Sequence, residues 1–120
     1  MFEFYKDVFK EKVIRPKIFT ITGKKLKDSI DTLMASDLFE SKWVTQKLEL
    51  QSNELKKFLL LYVTNAIFFY MPPSGRFDAV RYLRENKDVK DSGMNPLLHY
   101  IKFGREEKRK IYSADGRDHG

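Results

Sequence analysis

Residues 77–105, F-D-A-V-R-Y-L-R-E-N-K-D-V-K-D-S-G-M-N-P-L-L-H-Y-I-K-F-G-R, hold two helix starts and two helix stops within one short run. Asp78 fits the N-cap position, where a carboxylate accepts from free backbone N–H groups. Phe77 before it and Tyr82 four residues into the helix form a hydrophobic staple. Ala79, Tyr82 and Leu83 make the buried face, and Asn86 with Lys87 closes the helix. Asn95 is a second N-cap, and Pro96 takes the first helical position, where its missing N–H leaves nothing unsatisfied. Leu97, Tyr100 and Ile101 then share a face, and Gly104 is expected as the left-handed C-cap. Helices this short are marginal alone. Packing against neighbours must hold them, so the fold class is all-α: a small bundle of short helices. Phe77, Tyr82, Leu83, Leu97, Tyr100 and Ile101 are expected to form one cluster.

Upstream, Phe2, Tyr5, Val8, Phe9 and Val13 recur at helical spacing until Pro16. The run Lys17–Thr22 reads as a short strand or an extended linker, with Gly23 as a turn. Thr22-Gly23-Lys24-Lys25 is no phosphate loop, because Ile18 stands where the first glycine of such a loop would be. A helix over Leu26–Ala35 carries the stripe Leu26, Ile30, Leu33, Met34. Ser36 or Asp37 is expected to cap the next helix, on which Phe39 and Trp43 share a face with Val44 beside them. Ser52 or Asn53 is expected to cap a helix from Glu54 to about Tyr70. Pro72-Pro73-Ser74-Gly75 is the strongest punctuation in the chain and divides it in two.

Shifted by 38 residues, the halves align on themselves. Phe39 falls on Phe77, Glu40 on Asp78, Leu59 on Leu97, Leu60 on Leu98, Tyr62 on Tyr100 and Val63 on Ile101. The first copy has Phe58 in place of Pro96, Leu61 in place of His99 and Ala66 in place of Gly104. The expected segments are an N-terminal helical arm with an extended linker (1–35), a degenerate helix-turn-helix repeat (36–75), a second repeat (76–112) and a flexible tail (113–120).

From Phe77 to Arg109 the chain resembles a bacterial helical repeat of the form FDxxYYLxxNPDVxxxGxxPLxHYxxxGxxEGR. Leu38–Ala66, opening on L-F-E-S-K-W, resembles it weakly. That repeat occurs, often in tandem, in proteins with glycosyltransferase domains for surface polysaccharides and in some secreted repeat proteins. Departures are Arg81 for an aromatic, Lys87 for the proline of NPDV and Lys108 for the glycine of EGR. The resemblance implies an accessory binding or scaffolding module of a bacterial polysaccharide-assembly system. It implies a protein partner or glycosyltransferase domain and a cytoplasmic setting, at the inner face of the membrane where it meets one.

The chemistry that composition permits is narrow. The 120 residues make one small domain or a fragment of a larger chain, and without cysteine there is no disulfide, thiolate metal site or thiol nucleophile. Two histidines, His99 and His119, supply no zinc spacing, so neither metal nor cofactor is expected. The longest apolar run, Phe58–Met71, is shorter than the about 20 residues a membrane-spanning helix requires. No Asp-x-Asp, dinucleotide fingerprint or separated acid–base carboxylate pair occurs, and catalysis is not expected. His99 reads as a hydrogen-bond partner tying two helices together before it reads as a base.

The formal charge of +6 is uneven: +5 over residues 1–27, −3 over 28–56 and +4 over 57–120. Arg105, Lys108, Arg109 and Lys110 follow Gly104 with Tyr112 nearby, a pattern suited to a sugar-phosphate or a nucleic acid. With His99 and Trp43, a candidate sugar-stacking platform, they are the candidate contacts to a ligand or partner. The alternative is a basic helical domain that binds nucleic acid or an anionic membrane surface. A regulatory or immunity-type protein docking one protein partner is a third.

Overall fold

The computed structural model describes residues 2–10 and 23–114. Among them the chain is all-α, with no strand. The elements are α1 (Phe2–Lys10), α2 (Gly23–Met34), α3 (Ser41–Leu48), α4 (Leu55–Thr64), a 3₁₀ turn (Ala66–Tyr70), α5 (Ala79–Glu85), α6 (Lys87–Ser92) and α7 (Pro96–His99), which runs on as a π-helical turn (Tyr100–Gly104). The expected helix break at Pro16, the strand or linker at Lys17–Thr22, Val13 and His119 lie outside the described residues.

In the first half, α1 lies across α3 and the start of α4. Phe2 meets Trp43 edge-on at 5.2 Å, and Phe9 meets Phe58 at 6.3 Å. Lys6 and Lys10 then reach Glu49 and Glu54 at 2.7 and 2.8 Å. Gly23, expected as a turn, instead opens α2, whose buried face is Leu26, Ser29 and Leu33; Met34 is exposed. Neither Ser36 nor Asp37 caps α3. Its N-cap is Glu40, in extended backbone, and the Ser36 hydroxyl accepts from the Leu38 N–H. Ser52 and Asn53 are exposed and cap nothing; Glu54 precedes α4 and its carboxylate accepts from the Gln51 N–H.

The expected single helix from Glu54 to Tyr70 is also broken. Asn65 adopts extended backbone, and its side chain accepts from the Ile67 N–H, which ends α4 and starts the 3₁₀ turn. The apolar run that suggested continuity is divided because the turn carries Phe68 and Phe69 back into the core. A short polar side chain competing with the backbone outweighs the apolar block around it.

In the second half both caps form as expected. The Asp78 carboxylate accepts from the Arg81 N–H at 2.9 Å, and the Asn95 side chain accepts from the Leu98 N–H at 3.0 Å. The staple rings of Phe77 and Tyr82 lie 5.4 Å apart. Phe77, Tyr82, Leu83 and Leu97 are buried together, with Tyr100 and Ile101 packed against them. Two corrections apply. The turn between the helices contains α6, which buries Val89 and ends at Gly93 in left-handed backbone (φ 76°). Gly104, expected in that conformation, is not; the left-handed residue beyond it is Lys108 (φ 58°).

The 38-residue shift has structural counterparts. It carries N-cap Glu40 onto N-cap Asp78, and the first residue of α3 onto the first of α5. The rings of Phe39 and Tyr62 lie 6.0 Å apart at 47°, and those of their equivalents Phe77 and Tyr100 lie 6.1 Å apart at 47°. Each half also closes on itself through the same kind of bond. Glu40 N–H donates to the Pro73 carbonyl at 3.2 Å, and Asp78 N–H donates to the Tyr112 carbonyl at 2.8 Å.

The halves share one core. α2 packs against both α4 and α7. Met71, Pro72, Pro73 and Ser74 are buried, so the punctuation between the halves is a packed strap, not an exposed linker. The expected flexible tail is also pinned at its start: Ser113 Oγ and the Ala114 N–H both donate to the Gly75 carbonyl. Asn95 joins the halves, its amide donating to the Tyr62 carbonyl at 2.8 Å while its oxygen caps α7. Tyr62 itself is fully buried, and its hydroxyl makes no hydrogen bond of good geometry. Burial pushes that phenol above its ordinary value, and the Asn95 side chain opposes the shift.

These two neighbours should respond unequally to truncation. Asn95→Ala removes a cap and orphans a buried carbonyl, and urea unfolding should show a loss of about 2–3 kcal/mol. Tyr62→Phe deletes an unpaired hydroxyl and should stay within about 0.5 kcal/mol of the parent.

Candidate functional site

The chemistry-bearing side chains of the second half converge where α5, α7 and the segment after Gly104 meet. The staple and cap place Tyr82 on the inner face of α5, and Asn95-Pro96 sets the register of α7 so that His99 faces it. Tyr82 Oη and His99 Nδ1 are 2.9 Å apart, a phenol–imidazole hydrogen bond that ties the two helices. Burial pushes the Tyr82 phenol up to about 12. Burial also moves the His99 imidazole below its ordinary value, and the Arg109 guanidinium acts in the same direction. Both groups are therefore uncharged at neutral pH. A phenol this hard to ionise is a poor proton shuttle, whereas a neutral hydrogen-bonded pair is a good spacer between helices.

Gly104 completes this contact. A Cβ built there would collide with the Tyr82 hydroxyl and come within 3.0 Å of the Tyr100 ring. The glycine is required by close approach, which is a different reason from the left-handed cap that its position after α7 suggests.

Beside the pair, Arg109 clamps α6. Its guanidinium donates to both Asp88 carboxylate oxygens at 2.9 and 2.8 Å, to Asn86 Oδ1 at 2.8 Å and to Glu107 at 2.7 Å. The Arg109 hydrogen bonds hold the Asp88 carboxyl down at about 2, and Asp88 in turn raises the guanidinium above its ordinary value. Asn86 also donates to the Tyr82 carbonyl at the end of α5. The N-K-D-V and E-E-K-R ends of the motif thus meet in one ion-paired clamp. Sequence spacing shows no such link, since 21 residues separate Asp88 from Arg109.

Of the six expected contacts, the structure brings together His99 and Arg109, and both serve the fold. Arg109 in particular is bound within the chain and does not join the exposed basic group. Trp43 is half-buried, edge-on to Phe2 and with Lys47 Nζ 5.7 Å from its ring centroid, part of the α1–α3 contact. Arg105, Lys108 and Lys110 are exposed. Arg105 lies 5.5 Å from the Tyr100 ring and lines a shallow groove with Asp37 and Ile101. A larger groove of about 610 Å³ runs between α2, the end of α4 and the α6–α7 turn. Its walls include Lys25, Asp28, Ser29, Met94, Asn95 and Lys102, and none of the six expected contacts. Among the described residues no group of three or more His, Asp or Glu side chains could hold a metal ion. No helix there is long and apolar enough to cross a membrane.

No protein family, curated protein or solved structure matches the chain.

Two substitutions separate the backbone demands at positions 104 and 108. Gly104→Ala should lower stability by about 1–3 kcal/mol through overpacking, and a second change, Tyr82→Phe, should recover part of that loss. Lys108→Gly relieves a left-handed non-glycine residue and should raise stability by about 1 kcal/mol in the same urea titration.

Proposed function

We propose that the chain is a non-catalytic helical module that binds or positions a partner, accessory to a bacterial glycosyltransferase or polysaccharide-assembly system. One observation carries the non-catalytic part. The residues that give the second repeat its pattern have intrachain work: Asp78 and Asn95 cap, Tyr82 bonds His99, Gly104 admits the Tyr82 hydroxyl, and Asn86, Asp88 and Arg109 form the clamp. A pattern used up in holding a shape leaves recognition to the exposed positions between its fixed residues. The polysaccharide setting rests on the resemblance of Phe77–Arg109 to the bacterial repeat. The alternative, a basic domain for nucleic acid or an anionic membrane, is weakened because Arg109 is already paired.

Affinity purification of the tagged chain from its native host tests this. A nucleotide-sugar-dependent transferase, or another component of polysaccharide assembly, should be retained through a high-salt wash. Recovery of nucleic acid whose binding falls steeply with salt would overturn the proposal in favour of the alternative. So would turnover of a nucleotide sugar by the purified chain alone.

A further inference from the structure

A second groove, of about 310 Å³, lies where the 3₁₀ turn meets α5 and α6. Leu83, almost fully buried, is its floor, and Tyr70 and Val80 are its walls. These wall residues are 37 and 44% exposed and lie side by side along one groove. Ile67 extends the strip. It stands three residues before Tyr70 in a 3₁₀ turn, where residues i and i+3 eclipse, and it is 41% exposed. The rim is basic: Arg84, Lys87 and Lys90 line the groove with Asp91 as the one acid. Lys87 and Asp91 neutralise each other at 2.8 Å. Arg84 and Lys90 are exposed and make no ion pair within 4 Å among the described residues, although Glu85 lies in the field of Arg84, so the rim presents two exposed cations beside an apolar strip.

We infer that this groove docks an acidic amphipathic helix of a partner protein. An aliphatic side chain of that helix sits on Leu83 between Tyr70 and Val80, and flanking carboxylates meet Arg84 and Lys90. The geometry is that of a helix laid in a groove, with apolar anchors giving affinity and rim charges giving orientation. An anionic bilayer offers the same charge, but it contacts what protrudes, whereas the apolar floor here is recessed. The inference rests on the reading that the chain works by binding, and it adds the surface and the chemistry of the partner.

The test is a titration of the isotope-labelled full chain, followed by backbone amide NMR, with three probes. They are a synthetic helical peptide of about four turns with leucines along one stripe and glutamates beside it, the same peptide with lysine for every glutamate, and vesicles of phosphatidylcholine with phosphatidylserine. The acidic peptide should shift amides around Tyr70, Val80, Arg84 and Lys90, with affinity falling as salt is raised. The double variant Arg84→Glu, Lys90→Glu should weaken it by about tenfold or more. Both positions are exposed, and an unchanged thermal melt shows that the fold is kept. No shifts, shifts centred on the groove between α2 and α7, equal binding of the lysine peptide, or the same shifts from vesicles would each overturn the inference. Loss of peptide binding by a chain that still retains its transferase in affinity purification would remove this surface and leave the accessory-module reading standing.

Discussion

One kind of backbone bond closes each half of the molecule, and the packing of every short helix depends on it. The residue that caps α3 or α5 turns its own N–H onto a carbonyl more than thirty residues downstream: Glu40 onto Pro73 and Asp78 onto Tyr112. Helices of seven or eight residues cannot persist by propensity. Tying the start of the first helix to the strap that follows the second turns two marginal helices into a closed unit with an aromatic pair inside. The same constraint makes the straps buried. Pro73 supplies a carbonyl and has no N–H to satisfy, a suitable residue for a buried strap. Arg81 stacks 3.3 Å from the Tyr112 ring and covers the second closure.

The sequence is legible where one residue acts on its immediate neighbours. Asp78, Asn95 and Pro96 declare helix starts because capping is local chemistry, and the Phe77–Tyr82 staple follows from it. Helical periodicity likewise places Tyr82, Leu83 and Leu97 in the core. Legibility ends where two local effects compete or where distant residues meet. Asn65 sits inside an apolar run that reads as continuous helix, and only its bond to the Ile67 N–H decides the break. Gly104 looks like a C-cap by position, but its reason is a tyrosine hydroxyl from 22 residues upstream. Arg109 looks like part of a free basic cluster because Asp88 and Asn86 are not neighbours in the chain.

That last difference also changes where recognition belongs. Read along the chain, the basic run after Gly104 is the obvious binding surface. In space its central arginine is paired, and a second set of exposed cations, Arg84 and Lys90, lies beside the exposed apolar side chains of α5 and the 3₁₀ turn. Motif residues that look functional hold the scaffold, while Ile67, Tyr70 and Val80, which no pattern marks, face outward.

The central claim is that the two closures hold each half together, and native-state hydrogen exchange of the Glu40 and Asp78 amides tests it most directly. Both amides are bonded across the fold, so both should exchange only on global unfolding, at rates matching the buried amide of Leu98. Exchange of the Asp78 amide as fast as that of exposed Asn53, with Leu98 still protected, would show that the second half stands without its closure and would contradict the account.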